Sequence, residues 1–427
     1  MGGTTQPGQP VILRSYHPWA APWRGSPPAH DCRTFPVKRA FEVFRVFLKL
    51  GLTSFGGPIA HIGYFRAEVV VRRQWLDEAS FSDLVALCQF LPGPASSKVG
   101  IGLGLQRAGW PGAFAAWIGF TAPSAMALIL FALGLRQWAG LATSDALHGL
   151  KVVAVAVVAQ AVWGMARTLC PDRTRALLAA VAAVIAVWAQ SSGGQVMAIA
   201  LGMVVGRWAV HPTKVVATAQ AAYGVSRRAG AIFLGTFAAL LVTLPVLARH
   251  SSDPVVSAVA AFYQAGALVF GGGHVVMPLL QAAVVPTGLV NNDTFLAGYG
   301  AVQAVPGPLF TFAAYLGAVM PSPLGGWLGG SLLLVTIFIP GFLLLAGALP
   351  FWETLRRQQG MRQAIAGINA AVVGVLAAAL YDPVWTSAIH SWQDFALALA
   401  AFGLLMYARL SPVIVVVVTA LAAMVIA

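Results

Sequence analysis

The chain has 427 residues, of which 59% are hydrophobic and only 9% are charged. A soluble domain carries about a quarter charged residues, so this composition excludes a soluble globular protein. The net charge is +13, but the basic residues lie in loops between apolar segments and are not interleaved with aromatic residues. We therefore predict cytoplasmic loops of a membrane protein in contact with the lipid bilayer, and no nucleic acid partner.

The first 35 residues are polar and rich in proline, and they lack the apolar core of a signal peptide. We predict that residues 1–35 form a disordered cytoplasmic tail. The three cysteines, Cys32, Cys88 and Cys170, lie far apart without metal-ligand spacing. The chain also has no phosphate-binding loop and no His-Glu-x-x-His motif. We therefore expect no metal or other cofactor, and no enzymatic activity.

Long apolar runs recur along the chain, and a membrane span needs about 20 mostly apolar residues. The longest runs are residues 110–135, 176–188, 229–248, 325–349 and 413–427. This pattern predicts an all-α polytopic membrane protein.

An internal repeat divides the chain. Phe55-Gly56-Gly57 recurs as Phe270-Gly271-Gly272 at an offset of 215 residues, and Pro92-Gly93-Pro94 recurs as Pro306-Gly307-Pro308 at an offset of 214. Three single residues recur at the second offset: Phe81 as Phe295, Gln89 as Gln303 and Ser97 as Thr311. Such ordered matches predict duplication. We predict a first repeat over 36–210 and a second over 253–427, joined by a linker (211–252) that contains a membrane helix.

Each predicted repeat has two broken or re-entrant helical segments followed by four membrane helices. Because the connecting helix adds an odd crossing, the second repeat should be inverted relative to the first, as in many secondary transporters. Arg66, Arg72 and Arg73 lie in the loop between the first repeat's broken segments, whereas its copy at 274–292 has no Lys or Arg. The N-terminus is then cytoplasmic and the C-terminus outside.

The three arginines also favour re-entrant hairpins over full crossings. We predict that 40–55 enters and 59–72 leaves, and that 79–91 enters and 95–105 leaves. The alternative, in which all broken segments cross, gives thirteen spans instead of nine.

The breaks themselves indicate a binding site. A half-helix that begins at membrane depth exposes free N–H groups and the positive end of its dipole, which together suit an anion. Glycine lets a ligand approach the backbone, although the glycines could instead serve close helix packing. The predicted substrate-binding residues are Gly56, Gly57, Pro58, His61, Pro92, Gly93, Pro94, Ser96, Ser97, Lys98, Gly271, Gly272, Gly273, His274, Pro306, Gly307, Pro308 and Thr311.

Three of these residues are ionisable. Lys98 follows a break, and its duplicate position is Phe312. An ionisable residue at membrane depth indicates function, and the alternative is a lysine that snorkels to the interface. His61 and His274 each follow a glycine break and could donate to a ligand or bond a carbonyl.

Four motifs carry a resemblance to a known family: FGGPIAHIG, FLPGPASSKVGIGLG, FGGGHVVMPLL and VPGPLFTFAAYLGAVM. With these motifs the chain, from about residue 36 to 427, resembles the chromate ion transporter family in its long form with two fused halves. The resemblance implies a transporter of the inner (plasma) membrane that exports chromate, with sulfate as a structural analogue. It also adds Pro278 to the motif residues.

The sequence leaves two other functional classes open, a passive inorganic-anion channel and a membrane receptor or scaffold that transports nothing. It also leaves open whether the chain forms a homo-oligomer.

Overall fold

The computed structural model describes residues 36–55, 57–137, 145–189, 192–210, 223–270, 273–408 and 410–426. In these ranges all regular secondary structure is helical, as predicted. The predicted tail, residues 1–35, lies outside the described residues.

The helices follow the predicted segments closely. In chain order they are α1 (Pro36–Thr53), α2 (Gly57–Arg66), α3 (Glu78–Phe90), α4 (Ala95–Gln137), α5 (Asp145–Leu169), α6 (Arg173–Ala189), α7 (Ser192–Ala209), α8 (Arg227–His250), α9 (Pro254–Leu268), α10 (Val276–Val284), α11 (Asn292–Gln303), α12 (Phe312–Val319), α13 (Gly326–Ala348), α14 (Trp352–Arg357), α15 (Gln359–Ala379), α16 (Thr386–Ala388), α17 (Trp392–Met406) and α18 (Pro412–Ile426). Short π-helical or 3₁₀ turns extend or join some of them: Ala67–Arg72, Gly273–Val275, Leu309–Thr311, Leu349–Phe351 and Leu380–Trp385.

Helix α4 reverses direction near its first third. Ala108 (φ −143°) and Gly109 (φ 65°) leave the helical conformation, and the left-handed φ at position 109 suits glycine because it has no Cβ. Gly104 packs directly on Gly112, so a short arm (95–107) lies against a long arm (110–137). In the second half, Gly317 of α12 packs on Gly329 of α13 in the same way.

Five helices in the described part of the chain are long and apolar enough to cross a membrane. They lie at Ala95–Leu135, His148–Leu169, Arg227–His250, Gly326–Leu355 and Gln359–Ala388. The segments around the breaks are shorter. Helix α3, for example, has 13 residues, which at 1.5 Å per residue span about 20 Å of a hydrocarbon core of about 30 Å. The re-entrant arrangement stays a prediction.

The two halves exchange helices across their interface. Helix α5 packs on α17 and α18, and α15 packs on α6 and α7. Helices α15 and α7 run antiparallel, because Gly202 contacts Ala371 while Gly206, one turn later, contacts Gly367 and the carbonyl of Gln363. The connecting helix α8 packs on α9 and α13.

Two helices join the main hydrophobic clusters. The long arm of α4 contributes Phe120 to one cluster and Ile129 to the other, and α13 contributes Leu345 and Ile337 in the same manner. These two helices therefore form the common wall against which the broken segments of both halves pack.

Candidate functional site

The breaks of the two halves are joined by reciprocal hydrogen bonds. The backbone N–H of Gly93 donates to the carbonyl of Val269 at 2.6 Å, and the N–H of Gly307 donates to the carbonyl of Ser54 at 3.0 Å. Gly93 and Gly307 are equivalent positions of the predicted repeat, and so are Ser54 and Val269. Each bond thus ties a Pro-Gly-Pro break of one half to the glycine break of the other.

Two further contacts close the arrangement into a ring. His61 Nδ1 lies 3.3 Å from Ser96 Oγ, which joins the two breaks of the first half. Gly273 packs against Leu309, which joins the two breaks of the second half. We call this arrangement the break ring. It brings together parts of all four breaks that the sequence singled out.

The glycines of the ring act differently from the expectation. Gly93 (φ 100°) and Gly307 (φ 109°) are left-handed, a conformation that L side chains rarely adopt. A Cβ on Gly307 would lie 2.8 Å from Ser124 Oγ, whereas one on Gly93 would keep 3.5 Å from the nearest atoms. Their N–H groups were expected to be free for an anion. That expectation is wrong in this structure, because both bond a carbonyl of the other half.

The prolines frame the same turns. The Pro94 carbonyl accepts the N–H of Lys98 at 2.9 Å, and the Pro308 carbonyl accepts the hydroxyl of Thr311 at 2.7 Å. Pro92 is half-buried, as are Pro306, Pro58 and Gly57. Gly56, Gly271 and Gly272 were also predicted as site residues and lie outside the described residues.

Lys98 is fully buried, so the alternative of a snorkelling lysine is wrong. Its Nζ donates to the carbonyl of Leu91 at 2.6 Å and to that of Pro92 at 2.9 Å. Both carbonyls follow the end of α3, where backbone acceptors lack helical partners and the helix dipole is negative. In this structure Lys98 therefore holds the second break in shape.

The two histidines have different surroundings. The ring of His61 is 1% exposed and meets the ring of Phe120 edge-on at 5.2 Å. His274 is half-buried, and its Nδ1 shares a hydrogen bond of 2.6 Å with the hydroxyl of Tyr299.

Several buried polar groups of the first half have no hydrogen-bond partner in the described structure: Ser54 Oγ, His61 Nε2, Ser97 Oγ and Thr121 Oγ1. Each of these residues is at most 3% exposed. A buried polar group without a partner costs about 1–3 kcal/mol, so four in one region are expensive to maintain. Sequence reasoning missed Ser54 and Thr121, although Ser54 directly precedes a break and Thr121 lies two residues before Pro123 in an apolar helix.

Ser124 belongs to the same surroundings. Its hydroxyl donates to the carbonyl of Thr121 at 3.0 Å, and its Oγ faces Gly307. We call Ser54, His61, Ser96, Ser97, Thr121 and Ser124 the polar cluster. None of its side chains is a carboxylate, so the cluster offers hydrogen-bond donors without a repelling negative charge.

A separate cavity of about 250 Å³ lies elsewhere, lined by Gln195, Gln281, Asn292, Asp382 and apolar residues. Pro278, a motif residue from the resemblance, borders this cavity, and its carbonyl accepts from Gln195 Nε2 at 3.2 Å. Pro278 is thus placed at this cavity, away from the hydrogen bonds of the break ring. No group of three or more His, Cys, Asp or Glu residues in the described ranges is arranged to hold a metal.

The sequence profile of the chromate transporter family matches residues 41–207 and again 256–425. The chain belongs to the chromate transporter family. The two matches cover most of the chain and show that this family member has two fused halves. It is a multi-pass membrane transporter and not an enzyme.

Three relatives match along most of their length. A chromate transport protein of Pseudomonas aeruginosa is 28% identical over 365 residues, which is 80% of each chain. A chromate transport protein of Cupriavidus metallidurans is 24% identical over 359 residues, which is 82% of this chain and 84% of the relative. A probable chromate transport protein of Synechococcus elongatus is 24% identical over 86% of this chain and 90% of its own. No solved structure matches the chain.

Proposed function

We propose that this transporter exports chromate, or a related dianionic oxyanion such as sulfate, across the inner membrane, with the substrate bound at the break ring. The observation that carries the proposal is the set of reciprocal bonds, Gly93 to Val269 and Gly307 to Ser54. Irregular backbone at membrane depth survives where protein or a water-filled path satisfies it, and here the two halves satisfy each other. The names of the relatives agree with this substrate class.

The site suits a compact oxyanion for chemical reasons. Its unpartnered groups include three hydroxyls, and an oxygen-rich ligand would give them acceptors. The first turn of the short arm of α4 adds N–H groups and a positive dipole end. All members of the polar cluster are nearly inaccessible, so a substrate would reach them only after a relative movement of the halves.

An inverted repeat would supply that movement. The exchange of α5 and α15 between the halves supports it, and so does the antiparallel packing of α15 on α7. In such a transporter one half rocks against the other around a fixed site. The reciprocal bonds lie at that junction, so opening one side of the ring would strain the matching bond on the other side.

Export follows from the membrane potential. Moving one charge through 100 mV supplies about 2.3 kcal/mol, so two charges at roughly 150 mV supply about 7 kcal/mol. A dianion that leaves a negative interior therefore needs no ATP, whereas uptake would require cotransported cations. We place the N-terminus in the cytoplasm because Arg66, Arg72 and Arg73 occupy the first-half loop.

The test is the chromate content of cells that express the protein. Expressing cells should hold several-fold less chromate than cells that express Gly307→Ala, in which a side chain would strain the left-handed turn and press on Ser124. Gly235→Ala is the matched control, because its added methyl meets nothing within 4 Å. Equal chromate contents in cells with wild-type protein, Gly307→Ala and no protein would refute export and favour a receptor or scaffold. Flux that neither saturates nor shows counter-flow would instead indicate a channel.

A further inference from the structure

The unpartnered groups of the polar cluster lie on three helices, α1, α2 and α4, that contact one another. Ser54, at the end of α1, accepts the Gly307 N–H on its carbonyl, and its backbone also accepts a hydrogen bond from the His61 ring. His61, on α2, contacts Ser96 on the short arm of α4 and Phe120 on the long arm. Phe120 is the chain neighbour of Thr121. Ser54, His61, Ser96 and Ser124 are thus one connected region beside the fourth break, and Ser97 and Thr121 adjoin it, Ser97 as the neighbour of Ser96 and Thr121 through its carbonyl, which accepts from Ser124.

The equivalent region of the second half is apolar. At the offset of 215, Val269 replaces Ser54 and Val276 replaces His61. Phe338 replaces Thr121 at the offset of 217 that relates Pro123 to Pro340. All three replacements are at most 1% exposed. The fold therefore accommodates apolar side chains at this depth, and packing alone does not require the polar groups of the first half.

One pair of equivalent hydroxyls remains, and again only the first-half member lacks a hydrogen-bond partner. Ser97 and Thr311 are equivalent, but the Thr311 hydroxyl donates locally to the Pro308 carbonyl, while Ser97 Oγ has no partner in the described structure. The buried cation nearby, Lys98, donates its Nζ to the carbonyls of Leu91 and Pro92. Among the described residues, the buried hydroxyls without a partner therefore all lie in the first half, whereas the second half has the Gln303 amide, whose Nε2 also lacks a partner.

We propose that the first half alone supplies the hydroxyl groups that contact the oxyanion, with Ser54, Ser97 and Thr121 as uncharged hydrogen-bond donors. This inference rests on the proposed function and adds to it which half binds and by what chemistry. His61 Nδ1 lies 3.3 Å from Ser96 Oγ, and its ring also bonds the Ser54 carbonyl, so His61 positions the segments that carry the hydroxyls. The second half contributes backbone and apolar surface and acts as the moving wall.

The absence of a charged group from the contact set has a consequence for transport. Uncharged donors bind a dianion less tightly than a buried ammonium group would, and this favours release on the far side. Hydrogen phosphate carries a proton, and in this site that proton would point at another hydrogen-bond donor and find no acceptor. The site therefore favours a fully deprotonated tetrahedral anion. Sulfate and chromate should therefore bind better than phosphate.

Two nearly isosteric variants, Ser54→Ala and Thr121→Val, test the proposal in purified protein. Each removes a hydroxyl with no partner, so without ligand each should unfold at the wild-type temperature or higher. Each should weaken the binding of radiolabelled sulfate about tenfold, which is 1.4 kcal/mol. Thr336→Val is the matched control. Its hydroxyl is also buried in a long helix, but it donates to the Leu332 carbonyl, so its removal should leave sulfate affinity unchanged.

The outcomes distinguish a failure of this inference from a failure of the proposed function. If wild-type protein binds sulfate and chromate and both variants keep wild-type affinity, the polar cluster is not the contact surface, and the proposed function stands. If all three variants weaken binding equally, the assignment to one half is also overturned. If wild-type protein binds neither anion, the proposed function fails together with this inference.

Discussion

Lys98 provides a sharp prediction, because its buried ammonium group either holds the backbone or contacts the anion. Lys98→Met keeps the length of the side chain and removes the ammonium. The carbonyls of Leu91 and Pro92 then lose donors that lie at 2.6 and 2.9 Å. A buried acceptor without a donor costs about 1–3 kcal/mol, so the two together cost about 2–6 kcal/mol. Relief of the buried charge offsets part of this cost, and we expect a net loss of about 2–4 kcal/mol.

The assay is unfolding in mixed micelles, followed by the fluorescence of the 13 tryptophans, with and without sulfate. Lys151→Met is the matched control. Lys151 Nζ lies 3.0 Å from Asp293 Oδ1, and the Asp293 side chain is 72% exposed. The Lys151 side chain is 15% exposed, but because its partner is open to solvent the ion pair contributes only about 0–1 kcal/mol, so the control should unfold nearly as wild type does.

The comparison of unfolding with and without sulfate decides between the two roles of Lys98. If Lys98 positions the break, Lys98→Met is less stable both with and without sulfate. A variant that unfolds as wild type does without sulfate, but gains no stability from sulfate, would refute the positioning role and make Lys98 a direct ligand of the anion.

Three other predictions follow from the same structure. Gly307→Ala should reduce transport more than Gly93→Ala in a flux assay, because both strain a left-handed turn but only the first also crowds a neighbouring side chain. Cysteines at the exposed positions Ala79 and Thr287, in a protein without its native cysteines, should react with an impermeant reagent from opposite sides of the membrane. Asp77→Ala should cost about 1 kcal/mol of unfolding free energy at neutral pH, because Asp77 caps α3.

The pH dependence of the Asp77 effect has a definite sign. A hydrogen bond from the Ser80 N–H, 2.8 Å from the carboxylate, holds the pKa of Asp77 below its ordinary value of 3.8. The stabilisation by this cap is therefore complete above the ordinary pKa and is lost as the pH falls through the lower, folded-state pKa. A difference between Asp77→Ala and wild type that stays constant into strong acid would contradict this account.

The predictions for the glycine variants and for cysteine labelling can each be contradicted by one result. Equal flux through both glycine variants would mean that crowding at Ser124 is unimportant and that the left-handed turn alone matters. Labelling of Ala79→Cys and Thr287→Cys from the same side would refute the inverted topology. That topology stays a prediction here, although the antiparallel packing of α15 on α7 supports it.

Much of the fold could be predicted from the sequence because the apolar runs and the breaks are strong local signals. The predicted segments 40–55, 59–72, 79–91 and 95–105 correspond to α1, to α2 with its π-helical turn, to α3 and to the short arm of α4. Glycine at 109 and proline at 111 mark the reversal in α4. These features depend on neighbouring residues, so periodicity and turn chemistry are sufficient to find them.

The site was predictable only in part, because its chemistry depends on contacts between distant segments. The repeat identified the breaks, but it could not show that Gly307 N–H bonds the Ser54 carbonyl 253 residues away. Lys98 was found as an ionisable residue at depth, yet its role depends on two carbonyls at the end of another helix. Thr121 looked like an ordinary helix residue until the structure showed that its hydroxyl is buried without a partner among the described residues.

The most direct test of the account is flux through purified protein in liposomes loaded with chromate. With a potential imposed so that the lumen is negative, wild-type protein should release chromate with saturation, and external sulfate should compete. Reversing the potential should slow release, and Gly307→Ala should show little release under either condition. Release that is independent of potential and unaffected by Gly307→Ala would contradict dianion transport through the break ring.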